Sequence, residues 1–143
     1  MEDEMNTYKS QIYLLLTIII ITAVLSGCDF TSKIKIGEVR LGMFGDNEDG
    51  LMLYSYRTFT GTESDLIQAQ QGQTISFSYA LDVNKGSLLI EWQDPEGEVA
   101  WHEVFETSVQ GTNIIPVLID GPYTIIIQGK DTGGGFEISW KIE

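Results

Sequence analysis

Two stretches of this chain alternate with a period of two residues. In Thr74–Val83, the side chains of Ile75, Phe77, Tyr79 and Leu81 fall on one side, and Thr74, Ser76, Ser78 and Ala80 on the other. Near the C-terminus, Phe136, Ile138, Trp140 and Ile142 oppose Glu137, Ser139 and Lys141. Successive side chains of a strand point to opposite faces, so this pattern, rich in aromatic and β-branched residues, marks half-buried strands. After Cys28 no segment shows a sustained helical period. Glu63–Gln71 has a helix-tolerant composition, but it is short and bounded by glycines, and it reads as an extended stretch or a single helical turn.

Further strands are expected over Met52–Thr60, Ser87–Gln93, Glu98–Glu106, Asn113–Ile119 and Tyr123–Gln128, with a weak or edge strand around Ile34–Leu41. Gly42–Gly50 carries three glycines and a run of acidic residues and reads as a loop. Asp94-Pro95-Glu96-Gly97 is a turn, because proline presets φ at the first central position and glycine accepts the left-handed one. A hairpin follows, with its register open. A two-residue loop puts Trp92 opposite Val99 and Ile90 opposite Trp101, whereas a type I turn with a bulge at Gly97 shifts the pairing by one. About seven or eight short strands predict an all-β chain, an antiparallel β-sandwich of jelly-roll type.

The N-terminus has a different character. Ile12–Leu25 is a run of fourteen residues without a charge, short of the roughly 20 that a spanning helix needs and suited to the apolar core of a signal peptide. It ends in Leu25-Ser26-Gly27-Cys28. This quartet resembles the lipobox of bacterial lipoproteins: an aliphatic residue, two small residues that leave the backbone open to a peptidase, then a cysteine. The resemblance implies a signal peptide over 1–27 and a diacylglycerol thioether on Cys28. A lipidated tether over 28–33 would follow, and a β-sandwich domain over 34–143. Met1-Glu2-Asp3-Glu4 is acidic where such signals are positive, and initiation at Met5 fits better. The implied address is the extracytoplasmic face of the cell membrane. The chain from Cys28 onward carries 18 acidic against 7 basic side chains, a net charge of −11. Two or more acyl chains anchor stably, and an acidic domain is repelled by anionic headgroups, so it is expected to stand off the bilayer.

The order Tyr54–Ser64, Gly72, Lys85-Gly86-Ser87-Leu88, Asp94–Gly97, Gly121-Pro122-Tyr123 and Gly134–Trp140 is similar to a group of small lipid-anchored β-sandwich proteins of low-GC Gram-positive bacteria. Its fold is also similar to the jelly-roll-like domains appended to secreted bacterial peptidases. The shared residues are turn glycines and core aromatics, so the resemblance implies a sandwich and assigns no catalytic residue.

A net charge of −13 over 143 residues and a pI of about 4.2 exclude a phosphate-binding stripe, and with it a nucleic-acid partner. The single histidine, His102, lies between Trp101 and Glu103 on an expected strand and reads as an outward-facing residue without a nucleophile elbow to serve. Asp46, Glu48 and Asp49 share one glycine-flanked loop and are weak candidates for a hard cation. The twelfth position from Asp46 is Arg57 and not a bidentate glutamate, so the EF-hand pattern fails and no metal or cofactor is expected. Glu96/Glu98 and Glu103/Glu106 are carboxylate pairs that a glycosidase could use, with nothing in their spacing to select them. Trp92 and Trp140 sit on core faces. Trp101, whose face depends on the hairpin register, is the candidate aromatic for binding. The expected function is a non-catalytic binding or interaction module with a cell-wall or envelope-protein partner; the alternative is a small carboxylate-dependent envelope hydrolase.

Overall fold

The computed structural model describes residues 38–143. The apolar run, Cys28 and the tether lie outside the described residues. From residue 38 on, the chain forms seven antiparallel strands: β1 (Val39–Leu41), β2 (Phe44–Glu48), β3 (Leu51–Ala69), β4 (Thr74–Gln93), β5 (Val99–Phe105), β6 (Val109–Pro116) and β7 (Gly121–Ile142).

β3, β4 and β7 are long, and each passes through one bend. The β3–β7 ladder is irregular between Tyr56 and Gly61, and the β4–β7 ladder between Val83 and Ser87. The halves on either side of the bend belong to different leaves. One leaf runs β2, the first half of β3, the second half of β7, the first half of β4, then β6. The other runs β1, the second half of β3, the first half of β7, the second half of β4, then β5. Hydrogen bonding is continuous through the bend, and the leaves close face to face as an antiparallel β-sandwich. Phe77 of the first leaf meets Trp92 and Trp101 of the second at 5.3 and 5.1 Å, and Trp140 stands edge-on to Trp92 at 6.1 Å. Such ring pairs contribute about 0.5–1.5 kcal/mol each beyond the apolar area they bury. Ile75, Leu88, Ile90, Trp92, Ile125, Ile127 and Ile138 are fully buried between the leaves.

Glycines make the bend possible. Gly134 has φ +127°, and a Cβ there would run into the carbonyl oxygen of Asp82; Gly86 has φ +66° and is pressed against the carbonyls of Lys130 and Asp131. Both positions combine a left-handed backbone with close approach, which only glycine accommodates. Side chains tie the bend from outside: the Asp131 N–H donates to the Thr60 hydroxyl at 2.9 Å and Lys85 Nζ to the Thr58 hydroxyl at 3.2 Å.

The alternating stretches are strands with the expected faces buried. The element count, however, arises differently. Thr74–Val83 and Ser87–Gln93 are one strand, as are Tyr123–Gln128 and Phe136–Ile142, because bulges turn the chain from leaf to leaf without ending its ladder. Glu63–Gln71 is extended, belonging to β3 as far as Ala69. The expected loop Gly42–Gly50 contains β2 instead, since Asp49-Gly50 forms a two-residue turn that pairs Glu48 with Leu51.

The hairpin follows the bulged turn and then departs from both expected registers. The Gly97 N–H donates to the Asp94 carbonyl at 3.0 Å, with Gly97 at φ +85°. The Asp94 carboxylate also accepts the N–H groups of Glu96 and Glu98. A second irregularity leaves Ala100 unopposed and sets Trp92 directly across from Trp101. Trp101 thereby lands on the core side, half-buried against Phe77 and Tyr79.

Candidate functional site

The outer face of the first leaf holds the site. Cross-strand pairing fixes its rows. Phe44, Ser55, Gly135 and Asp82 form one; Asp46, Leu53, Glu137, Ala80 and Gln110 the next; Glu48, Leu51, Ser139, Ser78 and Thr112 the third. Rows lie two residues apart along the strands, about 6.7 Å, and neighbouring strands about 4.8 Å apart. Around Glu137, the β7 and β4 columns of this face are mostly small residues, Gly135, Ser139, Ser78 and Ala80, and the surface dips there.

Two shallow depressions of about 570 and 360 Å³ share Ala80, Gln110 and Glu137 and merge into one groove. It runs along β4, from Asp82 and Ser108 at one end to Ser78, Thr112 and Ser139 at the other. The Ser78 and Ser139 hydroxyls are bonded to each other at 2.8 Å. Ser108 closes the other end: its hydroxyl donates to Asp82 Oδ1 at 3.2 Å and accepts the Val83 N–H at 3.0 Å. In the central row Glu137 and Gln110 flank Ala80, a slot about 10 Å across between backbones. Phe44 stands on the same face at the β2 edge with 76% of its surface exposed, and Leu53 beside it is half exposed. Hydroxyls, an amide and carboxylates can exchange hydrogen bonds with a polar chain laid along the groove, while the rim offers an aromatic face.

The residues singled out from sequence lie elsewhere or at the margin. Asp46 and Glu48 project on the groove's own face from β2, and Asp49 sits in the turn; all three are exposed. Among the described residues, no three His, Cys, Asp or Glu side chains converge where a metal ion could sit. His102 is exposed on β5 of the second leaf, where it pairs across from Glu91. Glu96 and Glu98 belong to the hairpin turn and Glu103 and Glu106 to the β5 end; none lines the groove. Cys28 lies outside the described residues. Phe44, Gln110 and Asp82 had no sequence signal of their own. Glu137, Ser139, Ser78 and Ala80 were legible as outward-facing, and what joins them is pairing across about sixty residues of chain.

Beneath the groove, burial raises the Tyr56 phenol to about 12, with Asp82 adding to the shift and the Thr132 hydroxyl opposing it. Neither the Tyr56 nor the Thr132 hydroxyl makes a hydrogen bond of good geometry among the described residues. Burial likewise raises Tyr54, helped by Glu63 and Asp46, and Tyr79, helped by Glu103.

The fold defines an antiparallel β-sandwich domain. No family model matches the chain, and no curated protein sequence matches it. Among solved structures it is similar to a CBM4 module, with 11% identity, 78% of this chain and 81% of that chain covered, and a TM-score of 0.48. A CBM29-2 mutant, a family 29 carbohydrate-binding module complexed with mannohexaose, shows 19% identity, 76% and 81% coverage, and a TM-score of 0.42. The carbohydrate-binding module CBM6cm-2 from Cellvibrio mixtus lichenase 5A, in complex with cellotriose, shows 12% identity, 73% and 86% coverage, and a TM-score of 0.41. None reaches 0.5, and the chemistry of the groove has to be read from its own residues.

Proposed function

We propose that this chain is a lipid-anchored, extracytoplasmic binding module without catalytic activity, which takes a hydroxyl-rich chain, a glycan, along the groove of its first leaf. The observation that carries the reading is the groove itself: floored by Ser78, Ala80, Gly135 and Ser139, with Gln110 and Glu137 standing on either side of Ala80. A small-residue floor admits a flat chain, and planar amide and carboxylate groups match vicinal hydroxyls. Carbohydrate rings also have an apolar face, which an exposed ring such as Phe44 can stack against. The anchor in this reading is the diacylglycerol on Cys28, supported by the lipobox Leu25–Cys28; the acidic domain stands off the membrane and faces the wall.

Affinity gel electrophoresis against a panel of soluble cell-wall and plant glycans tests the reading. Retardation by at least one glycan is expected, weakened by Ala80→Trp, which fills the floor from an exposed position. Retention of an envelope protein instead, with no glycan retarded, would overturn it. Appearance of new reducing ends would favour the carboxylate-dependent hydrolase.

A further inference from the structure

We infer that the groove selects glycans carrying free amino groups, that is, amino sugars without their acetyl caps, and that the ammonium group is received by Glu137. This inference rests on the glycan-binding reading above and specifies its ligand.

Glu137 is the carboxylate at the middle of the groove, in the row that also contains Ala80 and Gln110. Its side-chain carboxylate takes part in no hydrogen bond or ion pair among the described residues. Asp82, at the groove end, is already engaged by the Ser108 hydroxyl and the Asn84 amide. No lysine, arginine or histidine lines either depression, so nothing in the groove offsets the Glu137 charge. A ligand chain lying between Glu137 and Gln110 strips water from that carboxylate. A hydroxyl or N-acetyl group returns neutral hydrogen bonds, while an ammonium returns a charge-assisted one, roughly twice as strong. Gln110 on the opposite side supplies an amide for the hydroxyls of the same ring. Phosphate- or carboxylate-bearing polymers meet the opposite situation, because the domain is strongly acidic throughout and repels them.

Neutral selection and diffuse attraction of any polycation to an acidic protein are the competing accounts. They separate when the full chain, in detergent micelles, is titrated calorimetrically with glucosamine tetramer and with its fully N-acetylated counterpart. The free amine is expected to bind about tenfold tighter or more, with the advantage shrinking as salt is raised. Glu137→Gln should abolish the difference. Glu96→Gln removes the same charge from the distant hairpin turn and should preserve it. Because Glu137 is exposed, its replacement leaves the core untouched, and an unchanged melting temperature verifies this. Equal or tighter binding of the acetylated chain, or equal weakening by Glu96→Gln, would overturn the inference while leaving glycan binding intact. Binding of neither tetramer, nor of any neutral glycan, would overturn both.

Discussion

Trp92 and Trp101 stand directly opposite each other across the β4–β5 ladder, and they do so only because Ala100 is left out of the pairing. Trp92 is fully buried, whereas Trp101 is partly covered and packs its ring against Phe77 at 5.1 Å. Replacing Trp92 by alanine should cost ~3–5 kcal/mol, the range for large aromatic truncations in a core. Trp101→Ala should cost clearly less. Urea unfolding of both variants measures the order, and a larger loss at Trp101 would contradict the packing described.

Two glycines with positive φ should respond differently to alanine. Gly72 has φ +90° with open space around it, so only the left-handed backbone is penalised, by about 1–2 kcal/mol. Gly134 has φ +127°, and its new Cβ would meet the Asp82 carbonyl at the bend. Gly134→Ala should therefore cost well over the Gly72→Ala value and broaden the unfolding transition, as thermal melts of the pair would show.

How much of this was written in the sequence differs from element to element. The alternation of Ile75–Leu81 and Phe136–Ile142 fixes which side chains face the core, because the period of a strand is a local property. The Asp94–Gly97 turn is equally local. The merging of strands through the bend is not: Gly86 and Gly134 look like ordinary turn glycines, and only their approach to carbonyls of another strand shows that the chain folds over without breaking its ladder. The Ala100 bulge is invisible for a similar reason, since the one extra residue sets Trp101 against Phe77 of the other leaf, a contact that no local pattern encodes. The groove combines both cases. Its residues are individually legible as outward-facing, yet the neighbours Ala80–Glu137 and Ser78–Ser139 exist only through long-range register.

Alkaline pH should loosen the fold through Tyr56. Its phenol is raised from 10.0 to about 12 by burial, so the folded state holds the proton more tightly than the unfolded chain. The stability it contributes is intact below about pH 10 and is lost as pH rises through about 12. Tyr56→Phe should flatten this decline, leaving the residual slope of Tyr54 and Tyr79, which are raised in the same direction. Denaturant midpoints across that range would show it; an unchanged slope in the variant would contradict the assignment.

The proposed anchor has its own outcome. Cys28→Ser should abolish metabolic labelling with a fatty-acid analogue and shift the protein from the detergent phase to the aqueous phase. Unchanged partitioning of the variant would mean that the apolar run, and not a lipid, holds the chain in the membrane.

The most direct test of the central claim is amide chemical-shift mapping of the isotopically labelled chain during titration with the tightest glycan from the panel. Perturbations are expected to concentrate in Leu53–Ser55, Ser78–Asp82, Ser108–Thr112 and Gly134–Ser139, the four segments that line the groove. Shifts clustered instead on β5 around Trp101 and His102, or around Asp46–Asp49 alone, would contradict the groove as the binding site.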